Sequence, residues 1–142
     1  MDTEQDDLAD ALVRAAFTTM AHLNRIGADN DLSLTQLRVF GILRDRRLRM
    51  TELADFLGLE KSTMSGLIDR AEKRGLVQRA PNATDRRATD IFLSPQGMAV
   101  ARTVHDRVRA ALAPMTSELA PAEQRRLQAL LERMLESLVP EA

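Results

Sequence analysis

The stretch that most constrains this chain is residues 51–93, where apolar spacing switches from helical to extended across a single glycine. Thr51 precedes Leu53, Ala54 and Leu57, a short helical face that Thr51 can cap and Gly58 can end. Leu59 begins a tight turn. Residues 60–74 then carry Met64, Leu67, Ile68 and Ala71 as one apolar stripe, stopped by Gly75. Residues 76–79 and 89–93 read as two strands, joined by the polar loop PNATDRRA with Pro81 and Asn82 as turn formers. Two short helices joined through a glycine turn and followed by a hairpin make a winged helix-turn-helix, here over about residues 34–93.

The flanks are helical. Leu8, Leu12, Ala15, Ala16, Leu23 and Ile26 recur at helical spacing over 5–27, with Gly27 as the expected end. Thr35 is the expected cap of a second helix carrying Leu37, Phe40 and Leu43, and residues 44–49 read as a short polar connection. Pro95 can start a long helix in which Val100, Val104, Val108 and Leu112 run to Pro114. Pro121 opens a last helix, where Leu127, Leu130, Leu131, Met134, Leu135 and Leu138 form a seam broad enough to need a partner. The expected fold is mostly α with a small β-hairpin wing, one domain over 1–142 with no long linker. Helices at 5–27 and 95–139 flank the winged helix.

Composition removes several functional classes. The 142 residues contain no cysteine, which excludes disulfides, zinc fingers and thiol chemistry. His22 and His105 are the only histidines and lie far apart, so no metal site is expected. Without Trp or Tyr, stacking platforms for single-stranded nucleic acid are not expected either. No HExxH-type cluster, glycine-rich phosphate loop or histidine beside a nucleophile is present, so we expect no enzyme, no catalytic residue and no cofactor. The longest uncharged run is Ile91 to Ala101, too short to cross a bilayer, and the acidic start MDTEQDD is the reverse of a secretory signal. A cytoplasmic protein is expected.

The net charge of −1 hides an uneven distribution. Residues 1–31 hold seven acids against two arginines, whereas residues 44–88 hold eleven bases against seven acids. One basic middle on a near-neutral chain suits contact with a polyanion through a single surface. Helix 60–74 has the width to lie in a major groove, with Lys61, Ser62, Thr63 and Ser65 at its start able to reach base edges and phosphates. Arg70 can clamp a phosphate from the same helix, and Arg86 and Arg87 stand at the wing tip, placed for the minor groove. Taken singly, these residues also fit helix caps and solvated charge. Their order and spacing favour the DNA reading.

The run TELADFLGLEKSTMSGLIDRAEKRGLVQR, followed by DRRATDIFLSPQG, resembles the MarR family of bacterial transcriptional regulators, and the likeness extends over nearly the whole chain. It implies a homodimer in which the first and last two helices interlock and each subunit presents a winged helix to a pseudo-palindromic operator of double-stranded DNA. It also implies repression relieved by a small anionic or phenolic ligand bound between the dimerisation and DNA-binding regions. Lys61, Ser62, Thr63 and Ser65 match the family's recognition-helix start, and Arg70 its phosphate-contacting arginine. Asp85 and Arg87 match its Asp-x-Arg wing motif, in which the Asp orients the loop and the Arg reaches the minor groove; Arg86 falls beside them as a phosphate neighbour.

Three positions depart from the family pattern. Gly66 stands where a larger residue, often Arg, is common, which implies either one missing DNA contact or a close approach to the helix. Ala71 replaces a frequent Leu, and Glu60 replaces a better-capping Asp. His22, Arg25 and Arg38 lie on the helices that help line the family's ligand pocket and are the candidate ligand contacts. Phe17, Met20 and Phe40 are expected in the core. The competing functional reading is a dimeric winged-helix module that binds protein and has no specific DNA site.

Overall fold

Particular side chains set the helix ends in this chain. The computed structural model describes residues 3–138. Helix α1 (Thr3–Asp29) runs two residues past Gly27 and stops where Asp31 takes a left-handed conformation, φ 55°. Gly27 is needed for a different reason. The amide of Leu32 donates to the Gly27 carbonyl at 2.8 Å, and a Cβ on Gly27 would lie 2.6 Å from the Leu32 carbonyl oxygen.

Helix α2 (Leu34–Leu43) is capped by Ser33, not Thr35. The Ser33 hydroxyl accepts from the Gln36 amide at 3.1 Å, and the Gln36 side chain accepts from the Ser33 amide at 2.8 Å. This reciprocal pair needs Gln three residues after the cap, a condition that Ser33 meets.

Residues 48–49 depart from the polar connection read in the sequence. Leu48–Arg49 forms a strand, β1, which pairs antiparallel with β3 (Thr89–Leu93). Helix α3 (Met50–Leu57) follows at once, beginning one residue before Thr51; Glu52 accepts from the Arg49 amide at 3.1 Å. Gly58, at φ 65°, ends α3 as expected, and Leu59 donates back to the Ala54 carbonyl at 3.0 Å. Helix α4 (Lys61–Lys73) ends at Gly75, φ 75°, with Leu76 bonded back to Ala71. Strand β2 (Val77–Pro81) pairs with β3, giving the order β1-β3-β2.

Two compact units divide the chain, one up to Val108 and one from Arg109 on. In the first, Met64, Leu67, Ile68 and Ala71 of α4 are buried as their spacing requires, with Val39, Phe40, Leu43, Leu53, Val77 and Ile91 completing the core. Apart from Ala71, each such side chain is worth about 1.5–3 kcal/mol when fully buried. Helix α5 (Pro95–Thr116) is joined tightly to this unit. Ser94 donates through its amide to Leu76 and through its hydroxyl to Gly75, and it caps the helix by accepting from the Gly97 amide at 2.9 Å. Gly97 lies so close that a Cβ there would sit 1.9 Å from the Leu76 carbonyl oxygen.

Helix α5 continues two residues beyond Pro114, the expected stop. A proline inside a helix removes one N–H donor, and the next turn carries on here with Ser117 donating to Ala113 at 2.8 Å. The second unit contains the end of α5 and α6 (Pro121–Glu136), which opens on Pro121 as expected. Glu123 accepts from the Ala120 amide at 2.9 Å, and the Gln124 side chain donates through Nε2 to the carbonyls of both Thr116 and Leu119. No residue of α6 is buried. The expected helical end at 139 lies outside the described residues. Phe17 also departs from expectation, for it is 66% exposed on α1, while Phe40 is core and Met20 is half-buried.

Candidate nucleic-acid interface

Helix α4 begins without a side-chain cap, since the Glu60 carboxylate makes no hydrogen bond to its first turn. The first amides of a helix have no partner within it, so an uncapped, exposed start can receive an anion. Lys61, Ser62 and Thr63 are exposed there and Ser65 is half-buried. Arg70 is exposed two turns on, and its guanidinium lies over Gly66: a Cβ on Gly66 would meet Arg70 Nη1 at 3.6 Å. That is an ordinary contact, so the close backbone approach considered at Gly66 is not found. Ala71 is buried against the core, where its small side chain fits.

The far side of α4 is braced to the sheet. Arg79 on β2 pairs with Asp69 and, at 3.4 Å, with Glu72, both on α4. The end of α4 is tied elsewhere. Arg74 donates to the carbonyls of Asp31 at 2.7 Å and Asn30 at 3.3 Å, gripping the turn between α1 and α2. Arg107 on α5 pairs with Asp29 at 2.7 Å beside the same turn.

The wing spans the loop between β2 and β3. Its base closes through Asn82 donating to Ala88 at 2.9 Å, and Ala88 donates to Asp85 at 3.0 Å. Asp85 accepts from the Arg87 amide at 3.1 Å and from its Nε at 3.4 Å, which fixes the root of a side chain that is 94% exposed. Arg86 is exposed next to it. At the base, the Asn82 oxygen accepts from the Thr84 amide, the Thr84 hydroxyl, the Asp85 amide and Arg49, while its amide donates to the buried Asp90 at 2.9 Å. Arg47 pairs with Asp90 at 3.5 Å and lies over the Phe92 ring, 4.2 Å from its centre. On the loop before β1, a hydrogen bond and the charge of Arg46 hold the Asp45 carboxyl below the usual carboxylate range.

A cavity of about 420 Å³ opens where α1, α2 and the end of α3 meet, lined by Met20, Leu23, Leu34, Leu37, Leu57 and Arg38 among others. Of the three candidate ligand contacts, the structure brings Arg38 to this cavity. His22 is half-buried on α1 and Arg25 is exposed; neither lines it. A smaller cavity of about 130 Å³ between α1, α2 and α5 has Arg44 and His105 in mutual contact at its wall. Among the described residues, no helix is long and apolar enough to cross a membrane.

Comparison with known proteins places this geometry. The sequence profile of the MarR family matches residues 30–88, from the turn before α2 to the end of the wing loop. The regulator PecS of Dickeya dadantii is 28% identical over 147 residues, covering 98% of this chain and 86% of its own. The crystal structure of AbsC, a MarR family transcriptional regulator from Streptomyces coelicolor, superposes with a TM-score of 0.76 at 27% identity, covering 97% of this chain and 95% of that one. Over these residues the chain is similar to regulators of the MarR family. The same fold is found in a mutant MarR from E. coli complexed with operator DNA, with TM-score 0.71, 24% identity, and coverage of 93% of this chain and 96% of that one.

Sequence reading placed the exposed residues of α4 and the wing but missed the groups behind them. Asn82 carried a turn signal and no sign of its five side-chain hydrogen bonds. Arg79 carried only a charge, and its acidic partners lie across the Gly75 turn. The one available signal was Asp90: an acid between Thr89 and the apolar Ile91-Phe92-Leu93 has to find a partner if its strand is buried.

Proposed function

We propose that this chain is a homodimeric regulator that binds a pseudo-palindromic operator in double-stranded DNA, represses transcription in the cytoplasm, and is released by a small anionic or phenolic ligand. The observation that carries the reading is the pairing of two exposed features. One is the uncapped start of α4 with Lys61, Ser62, Thr63 and Ser65, and the other is a wing whose Arg87 is exposed at its tip and held at its root by Asp85. Arg70 and Arg86 add cationic contacts for phosphates. The occurrence of the same fold in complex with operator DNA supports this reading.

The dimer rests on α6 and the turn after it, where Leu127, Leu130, Leu131, Met134, Leu135 and Leu138 stay exposed, and on Leu8, Leu12, Val13 and Phe17 of α1. Apolar seams of this extent on a helix call for a partner surface. The ligand reading rests on the cavity beside Arg38, whose guanidinium can pair with a carboxylate or phenolate against apolar walls.

The test is binding to a labelled DNA fragment from upstream of the protein's own gene, against a scrambled fragment, at two salt concentrations. The label belongs on the DNA, because the chain has no Trp or Tyr. The expected result is preference for the natural fragment, with affinity falling steeply as salt rises. Equal, weak binding to both fragments would favour a winged helix directed at protein partners.

A further inference from the structure

We propose that Asn82 and Asp90 are positioning residues for the wing, holding Arg87 in its DNA-reaching pose from a fixed point in the sheet; this rests on the DNA-binding reading above. The chain of contacts is continuous. Asp90 is buried on β3, the central strand, and is held at 3.5 Å by Arg47, just before β1. Its carboxylate accepts from the Asn82 amide at 2.9 Å, which fixes the orientation of the Asn82 side chain. The Asn82 oxygen, turned into the loop, then gathers the Thr84 amide at 3.0 Å, the Thr84 hydroxyl at 2.8 Å and the Asp85 amide at 3.0 Å. Asp85, placed by that contact, holds Arg87 through its amide and its Nε. Arg49 of β1 approaches the same Asn82 oxygen at 3.4 Å, so both neighbours of the central strand converge on the base of the wing.

The physical need follows from exposure. A loop whose tip is an almost fully exposed arginine loses ordering entropy when it docks, unless it is ordered beforehand. An asparagine with both ends committed is suited to that work: its donor is anchored to a buried charge and its acceptor organises the loop. Strand β1 gains a role from the same geometry, since its Arg49 and the preceding Arg47 bring their charges to the base of the wing.

The experiment is a double-mutant cycle in operator affinity at fixed salt, crossing Asn82→Ala with Arg87→Ala. In the wild-type background, loss of Arg87 should weaken binding by at least about fivefold. With Asn82 already replaced, the further loss should be under about twofold, because the arginine is no longer held in place. Asp90→Asn keeps an oxygen for the Asn82 amide and should retain most of the affinity that Asp90→Ala loses. Backbone amide exchange at Thr84 and Asp85 in the free protein supplies a readout without DNA, with faster exchange expected in Asn82→Ala. If Asn82→Ala does not fold, Asn82→Ser, which keeps an acceptor oxygen, replaces it in the same cycle. Equal Arg87 losses in both backgrounds, with unchanged exchange, would overturn the positioning role while leaving DNA binding intact. A wild-type chain that binds no operator would overturn both readings together.

Discussion

The unit up to Val108 and the unit from Arg109 on treat their apolar residues in opposite ways. The first buries Val39, Phe40, Leu43, Leu53, Met64, Ile68, Val77 and Ile91 almost completely. In the second, none of the described residues is buried, and the seam leucines from Leu127 on range from 38% exposed at Leu131 to 76% at Leu138. Both carry amphipathic helices of ordinary quality. The difference is that the winged helix closes its core within one chain, whereas α6 presents a finished apolar face with no cover of its own. A helix of that kind is stable when a second surface removes its seam from water, and in the proposed homodimer its contribution to stability depends on protein concentration.

The strongest way to break this contrast is to charge the seam. Leu131→Glu should abolish the proposed dimer, because a carboxylate buried without a partner costs about 3–5 kcal/mol and a two-fold interface would incur that cost twice. Sedimentation velocity at micromolar protein should show monomer or unfolded chain; an intact dimer would place the interface elsewhere. The next largest effect belongs to the other unit. Gly97→Ala puts a Cβ 1.9 Å from the Leu76 carbonyl oxygen, and the backbone at the β3–α5 joint has to move. We expect a loss of about 4 kcal/mol or more in denaturant unfolding, the range reserved for overpacking and backbone clashes.

A matched pair sharpens the comparison further. Ile68→Ala removes a fully buried side chain and should cost about 2–5 kcal/mol at any protein concentration. Leu130→Ala should shift the melting temperature in dilute samples and progressively less as protein is added. Equal concentration dependence in the two variants would remove the distinction. The smallest effect is a gain. Gly66→Ala places its methyl at ordinary contact distance from Arg70, and should stabilise the chain by up to about 1 kcal/mol through helix propensity. A loss of stability there would mean that Arg70 needs the space.

What could be read in advance was what local chemistry decides. Gly58 and Gly75 end their helices because a left-handed residue is needed at each end, and the stripe from Met64 to Ala71 is buried because its spacing matches a helical face. Features made by distant partners were not legible. Strand β1 is two residues long, too short to show alternation, and exists by pairing with β3. Ser33 and Thr35 are equally good caps by type, and Gln36 decides between them through a reciprocal bond. Phe17 follows the helical pattern of a core residue yet is exposed in the single chain, as a residue at a face meant for another copy would be. At the candidate site the exposed residues of α4 and the wing were visible from type and order. Asn82, Asp90 and Arg79 were not, since their roles lie in contacts across the sheet and the Gly75 turn.

Hydroxyl-radical footprinting on the upstream fragment, combined with the stoichiometry of the complex, tests the central claim most directly. The account predicts two chains per duplex and two protected half-sites related by a dyad, separated by about one helical turn of roughly 10 bp or a multiple of it. In Arg87→Ala, protection should fade at the minor-groove positions touched by the wings and persist where α4 lies. One chain per duplex, or protection without a dyad, would contradict it.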